Sequence, residues 1–336
     1  MYTFNRQQPM RLISYILCIF IISWSSYWWI VSQQMENSIT NWFNQKHPKQ
    51  DLSFDKITTS GYPNRVDISV KNFSYFNFNS QLSISVELIQ LLSLIYNKSH
   101  LINIIIPPIE INLKKSYLQI LGPAIKSSLK INSDNELIEF VSEGENLQFI
   151  DTENNIWNLN KFLFATEKLT QKNPETFRNH LSIRDLDVPT NYFSLHTKPS
   201  ELSNKIKKIT INSEMQLLGN FRDFLGFNEK LKVTDLNLNM VWDQIDLRVT
   251  GNFEITDKTV LTGSFKFKLN DWQSILSIIE STSILNDKSY KRINAALTFL
   301  ASQTSSNLKD LTFHIKLEEN VLFFGPLKIG KIKSDH

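Results

Sequence analysis

RVDISVK, residues 65–71, sets Val66, Ile68 and Val70 on one side of an extended chain and Arg65, Asp67, Ser69 and Lys71 on the other. Period two with one apolar side is the mark of a strand half-buried in an antiparallel sheet. Leu82, Ile84 and Val86 repeat the arrangement at once. It returns at Ile125, Ser127, Leu129 and Ile131, at Ile209, Ile211 and Ser213, at Leu236, Leu238 and Met240, and at Leu247, Val249 and Gly251. Phe265, Phe267 and Leu269 alternate with Lys266 and Lys268, and Leu311, Phe313, Ile315 and Leu317 alternate with Thr312, His314 and Lys316. Hairpin turns are expected at Asp257-Lys258 and at Glu319-Asn320, each lying between two such runs. A sheet with one polar face follows.

Toward the N-terminus the period changes. Met35, Ile39, Trp42 and Phe43 fall at i, i+4, i+7 and i+8, which predicts an amphipathic stem helix over residues 32–48, ending near Lys46 to Pro48. Before it, LISYILCIFIISWSSYWWIV, residues 12–31, contains no Asp, Glu, Lys or Arg. Twenty helical residues at about 1.5 Å each reach about 30 Å, the thickness of a bilayer's hydrocarbon core. Arg6 and Arg11 precede the run, no acid occurs before Glu36, and the next basic residue is Lys46. That bias puts a short tail, residues 1–11, in the cytoplasm and the bulk of the chain outside. Trp24, Tyr27, Trp28 and Trp29 crowd its last third, where amphipathic rings settle among lipid headgroups. Ser23-Trp24-Ser25 imitates a signal-peptidase site, so a cleaved signal is the competing reading; the apolar run continues past it to Val31, which favours an uncleaved anchor.

Three helices are expected to cover the sheet. Glu87 to Tyr96 is apolar almost all round, as in a helix buried between layers or touching lipid. Asn270 or Asp271 caps a second, with Trp272, Ile275, Leu276 and Ile279 on one face, and Tyr290, Ile293, Leu297 and Leu300 define a third; together these two make a helical hairpin over 271–302. The polar, proline-containing stretch 189–205 marks a linker between a first β-rich lobe, 49–188, and a second, 206–332.

Composition narrows the function. Beyond residue 31 the chain carries 34 basic and 33 acidic side chains, which argues against nucleic acid as a partner. The lone Cys18 sits in the apolar run, so no disulfide staples the outer part. Six scattered histidines show no metal-ligand spacing, and no nucleophile elbow, phosphate loop or dinucleotide fingerprint occurs. No catalytic, metal or cofactor residue is assigned, and the reading is of a protein that is not an enzyme. Asp185 with Asp187, and Glu318 with Glu319, read as solvent-face and turn carboxylates. Arg65, after the turn Gly61-Tyr62-Pro63, is the most distinctive charge and reads as a strand-opening residue. Gly325, Pro326 and Gly330 read as a turn, since no helix follows to receive a phosphate.

What remains is apolar strand. In LINIII, 101–106, and VLFF, 321–324, both sides are hydrophobic, so both must be covered, either by packed layers or by an acyl chain in a groove. The candidate groove residues are Val66, Ile68, Val70, Ile104, Ile106 and Phe323.

The motifs GYPNRVDISVKN (61–72), YNKSHLINIIIPP (96–108), WDQIDLRVTGNFEIT through GSFKFKLNDWQSIL (242–276) and VLFFGPLKIGKI (321–332), following an N-terminal anchor, resemble the bacterial domain-of-unknown-function family 2125. Asn64 and Lys328 depart from that pattern. The resemblance implies an inner-membrane-anchored envelope protein, single-pass, with its bulk in the periplasm, and a sheet distantly similar to AsmA-like proteins, whose grooves are associated with shielding lipids. The expected architecture is therefore α+β: one transmembrane helix, then a curved antiparallel sheet with helices packed on it. Partners are the bilayer through residues 12–31 and a lipid or acyl-chain ligand in the groove. The rival reading is a scaffold or assembly factor gripping another envelope protein by a sheet edge.

Overall fold

The computed structural model describes residues 7–44, 50–78, 80–134, 136–169, 175–189, 203–217, 231–256, 260–281, 287–304 and 310–332. Antiparallel sheet dominates, with three helices among the described residues. The chain divides into two compact units, Met1–Gln119 with Ala124–Glu136, and Ile120–Pro123 with Leu137–His336.

The first unit begins with one continuous helix of 38 residues, α1 (Gln7–Asn44). Its apolar part is long enough to cross a membrane, and Leu12 to Ile22 stand exposed. Five strands follow: β1 (Gln50–Ser53), β2 (Lys56–Ser60), β3 (Arg65–Asn77), β4 (Leu82–Leu94) and β5 (Asn97–Leu113); β6 (Ser116–Leu121) and β7 (Ile125–Ile131) come next. β3 pairs with β1, β2 and β4, β4 with β5, and β5 with β7, all antiparallel. The face of β3 holding Val66, Ile68 and Val70 lies beneath α1, in a core shared with Val31 and Ile95 and flanked by Trp28, Met35, Ile39 and Phe43. In the expected stem, α1 is helical as far as Asn44, with Met35, Ile39 and Phe43 on the sheet; residues 45–49 and the Trp42 side chain lie outside the described set.

The helix expected over Glu87–Tyr96 is instead strand β4. Its run is apolar all round because the strand has two apolar faces: Ile89 and Leu91 pair with Val70 and Ile68 on the α1 side, while Leu88 and Leu92 pair with Lys71 and Asp67 on the other. A short continuous apolar run carries no period that distinguishes the two structures, and cross-strand pairing outweighed leucine's helical preference.

The second unit is an unbroken antiparallel meander, each strand bonded to the next: β8 (Leu137–Asp151), β9 (Ile156–Lys168), β10 (Thr176–Asp187), β11 (Lys205–Leu217), β12 (Leu231–Trp242), β13 (Ile245–Thr256), β14 (Val260–Leu269), β15 (Leu311–Glu318), β16 (Val321–Phe324) and β17 (Leu327–Lys331). The expected linker at 189–205 joins β10 to β11, which pair from Thr176↔Gln216 to Asp187↔Lys205; residues 190–202 lie outside the described set. The expected turn at Asp257-Lys258 also lies outside it, between strands that pair up to Thr256↔Val260. Glu319 and Asn320 form the other turn, both with positive φ (46° and 67°).

Between β14 and β15 the chain makes the helical hairpin, α2 (Trp272–Ser281) and α3 (Asp287–Thr304). Asp271, not Asn270, sits at the start of α2 and accepts a 2.7 Å bond from Ser274 Oγ; the Asn270 side chain takes the Asp246 backbone N–H instead. Trp272, Leu276, Leu297 and Ala301 bury themselves against Leu269 and Leu311, with Phe267, Phe313 and Phe324 around them. Each such apolar side chain removed from water contributes about 1.5–3 kcal/mol.

Candidate functional site

The ladder of the second unit sorts its side chains into rows that cross seven strands. One row runs Phe164, Leu181, Ile211, Leu238, Val249, Phe267 and Phe313, each paired with the next. A second, beside it, runs Phe162, Ile183, Ile209, Met240, Leu247, Leu269 and Leu311. Intervening rows on the opposite face read Leu163, Ser182, Thr210, Asn239, Arg248, Lys268 and Thr312, and Ala165, His180, Asn212, Asn237, Thr250, Lys266 and His314. Strands about 4.8 Å apart make each apolar row about 29 Å long.

Beyond these two rows, strict alternation would not keep the same face apolar along the strands. β8, β10 and β12 each contain one residue with positive φ, Asn146 (51°), Asp185 (49°) and Asp235 (51°), and at each the apolar positions change from one parity to the other. Leu181 and Ile183 precede Asp185, while Leu186 and Val188 follow it; Leu231 and Val233 precede Asp235, while Leu236 and Leu238 follow. At Asp235 the register with both neighbours slips by one. Asn and Asp enter the left-handed region more readily than other side-chain-bearing residues, so they reset the pleat and return the apolar side chains to the same face. Gly144 serves that face differently: Phe162 lies across it, and a Cβ there would come within 2.5 Å of the ring.

The helical hairpin covers only one end of the face. α2 and α3 seal Leu247, Leu269, Leu311, Phe267 and Phe313, and α2 reaches the cluster of Val188, Ile206, Trp242 and Ile245 through Ile275 and Ile278. Phe164, Leu181, Ile211 and Leu238 are half-buried, and none of them belongs to a cluster packed against either helix among the described residues. A second apolar hollow, about 740 Å³, lies where α3 meets the β16–β17 turn: Ala295, Ala296, Phe299, Leu300 and Phe324 line it, with Arg292 and Lys328 also in its wall.

The sequence-derived groove residues do not assemble into one site. Val66, Ile68 and Val70, exposed by 0, 0 and 2%, are filled core under α1 rather than a trough. Ile104 and Ile106 lie on the opposite face of that sheet, half-buried beside Gln90 and Leu88, next to the exposed Ile102. Phe323 pairs with Lys316 on the polar face of the second unit; its neighbour Phe324 is the one that packs under the hairpin. Gly61 (φ 101°) closes a turn by accepting the N–H of Arg65, the first residue of β3, at 3.0 Å, and Gly325 (φ 55°) with Pro326 links β16 to β17; Gly330, expected in that turn, instead lies within β17 at an irregularity of the ladder, since the strand resumes at Leu327. Of the four residues assigned to no site, Ile211 and Leu238 stand in the alternating runs at 209–213 and 236–240, whereas Phe164 and Leu181 carry no such signal, and the alignment of all four is set by pairing.

Polar groups mostly serve the sheet. His100 bonds Ser128 and His180 bonds Asn212 across strands, Arg65 pairs with Asp67 at 2.6 Å, Asp185 accepts from Asn160, Asp187 lies 3.6 Å from Lys205, and Glu318 pairs with Lys316. Among the described residues no cluster of three or more His, Cys, Asp or Glu is placed to hold a metal. Asp151 caps the β8–β9 turn. Burial pushes its carboxyl up, but bonds from the Asn155 side chain, the Asn155 and Glu153 backbone N–H groups and Trp157 together hold it below the ordinary carboxylate value.

Fold and site together define a class: a β-sheet protein with an N-terminal apolar helix, the meander of its second unit apolar on one face and mostly polar on the other. The chain belongs to the family described as uncharacterized protein conserved in bacteria (DUF2125), whose model matches residues 28–333. No curated protein and no solved structure matches it.

Proposed function

We propose that this is a non-catalytic, single-pass protein of the bacterial inner membrane, its N-terminus cytoplasmic and its bulk periplasmic, which shields an acyl chain or similar amphipathic ligand on the apolar face of its meander. The observation carrying this is one stretch of that face: Phe164, Leu181, Ile211 and Leu238 are half-buried and in register, with neither helix packed on them among the described residues. An acyl chain leaving water for such a stretch gains about 0.8 kcal/mol per buried CH₂. Arg6 and Arg11 ahead of the apolar run support the orientation. The distant likeness to AsmA-like proteins points the same way, as analogy at the level of fold.

The test is purification of the full chain in mild detergent, followed by lipid extraction and mass spectrometry. Wild type is expected to retain lipid in defined stoichiometry, L181E with L238E to lose it, and T210E on the polar face to keep it. Equal lipid content in all three would overturn the reading. A stoichiometric protein partner lost with the same pair of substitutions would favour the scaffold reading, which the filled core beneath α1 also suits.

A further inference from the structure

Two turns of the first unit gather at the aromatic third of α1. The Trp24 indole donates to the Pro63 carbonyl (3.0 Å), and the Trp28 indole donates to the Arg65 carbonyl (2.7 Å). Ser25 Oγ spends its own proton on the Ile21 carbonyl (2.7 Å), so in its 2.8 Å contact with Tyr62 the phenol is the donor. Tyr62 also meets Trp28 edge to face, 5.5 Å between ring centres. The β4–β5 turn joins this group, because the Ile95 N–H donates to the Asn64 carbonyl at 3.1 Å and Ile95 is buried in the α1 core. Its neighbour Tyr96 is 71% exposed, and Tyr62 is 51% exposed. Thus two tyrosines on the tips of separate turns are left in the open, as are Tyr27 and Trp29 on the aromatic third of α1.

The residues these turns grip belong to the uncharged run that ends at Val31. Ser25 lies six residues inside that end, about 9 Å along the helix axis. A helix spanning the bilayer carries whatever is bonded to Ser25 and Trp24 past the headgroups to the outer edge of the acyl chains. There an exposed tyrosine is favourably placed, its ring among acyl carbons and its hydroxyl in reach of polar groups.

We propose that the Gly61–Arg65 turn and the β4–β5 turn at Tyr96 form a membrane-contacting surface, seated in the interfacial layer of the bilayer that α1 crosses. The surface rests on the reading of α1 as a spanning helix and extends it: the sheet of the first unit meets the lipid with its strand ends rather than hanging from a free tether. Strand β5 then starts at the membrane, and the face bearing Leu92, Ile102 and Ile104 leads away from it.

Site-directed fluorescence in vesicles tests this with the full chain. Cys18 is the single cysteine, so in a C18S background Y62C, Y96C and N77C each carry one environment-sensitive label; the wild-type Cys18 carries it in a fourth sample. Nitroxides are placed on the lipid either near the headgroup or deep in the acyl chain. Labels at 62 and 96 are expected to lose fluorescence to the shallow nitroxide, the label at 18 to the deep one, and the label at 77, at the far end of β3, to neither. Quenching at 18 with none at 62 and 96 would overturn the membrane-contacting surface and leave the spanning helix standing. No quenching at 18 would remove both. Because Y62C loses the bond to Ser25, Y96C serves as the variant that leaves the docking intact.

Discussion

Ile68→Ala is expected to cost the protein several times what Ile104→Ala costs, although both residues are isoleucines in neighbouring ladders of one sheet. Ile68 is fully buried between β3 and α1, with Val31 in the same core. Truncation there removes three carbons, about 2.4 kcal/mol at about 0.8 each, and adds a cavity term that brings the total to about 3–4 kcal/mol. Ile104 is half-buried on the other face, beside Gln90 and Lys126, where the space left behind fills with solvent or lipid; about 1 kcal/mol is expected. The assay is urea unfolding of the full chain in detergent micelles, followed by the near-ultraviolet signal of the tryptophans on α1. The same reasoning makes α1 part of the domain rather than a detachable tether. Val66, Ile68 and Val70 together gain about 5–9 kcal/mol from being covered, comparable with the whole stability of a typical domain. Equal losses for the two substitutions, or a chain lacking residues 1–48 that unfolds like the parent, would refute this account of the first unit's core.

Gly61→Ala should destabilise the same unit by about 1–3 kcal/mol, because φ is 101° and a Cβ would stand 2.8 Å from the Arg65 carbonyl oxygen; Gly330→Ala, with nothing within 4 Å of the added carbon, should leave thermal unfolding unchanged. Asp151 ionises more readily folded than unfolded, so its contribution is present above its ordinary value of 3.8 and fades as pH falls through the lower folded value. The stability gap between wild type and Asp151→Ala should therefore narrow on acidification below that point, and a gap that widens would contradict the bonding seen at the turn. Intact-protein mass spectrometry of the membrane fraction should find residues 1–25 retained, since Trp24, Ser25 and Trp28 are bonded to the domain; a product beginning at Ser26 would show the competing signal-peptide reading to be right.

Much of this fold is written in local pattern. Leu311 to Leu317 alternates so regularly that β15 and its polar neighbours follow from the residues alone, and Trp272, Leu276 and Leu297 mark the hairpin's buried faces through helical spacing. β4 was hidden because Leu88, Ile89, Leu91 and Leu92 satisfy a buried helix and a doubly apolar strand equally. The candidate site was less legible. Its rows depend on which strand meets which, and the continuation of that face beyond them on parity changes at Asn146, Asp185 and Asp235 that only the backbone reveals. Phe323 and Phe324 are alike in sequence, and one residue of register sends them to opposite faces. Val66, Ile68 and Val70 were correctly read as one apolar face, and the stem as amphipathic; that each is the other's cover is a tertiary fact.

The central claim, that the apolar face of the meander holds lipid, is tested most directly by a photoreactive amino acid placed in the living cell at Leu238 and, one residue on, at Asn239. The two differ only in the face they present. The account predicts lipid adducts from position 238 and none from 239. Adducts to protein alone at 238, or the same products from both positions, would contradict it.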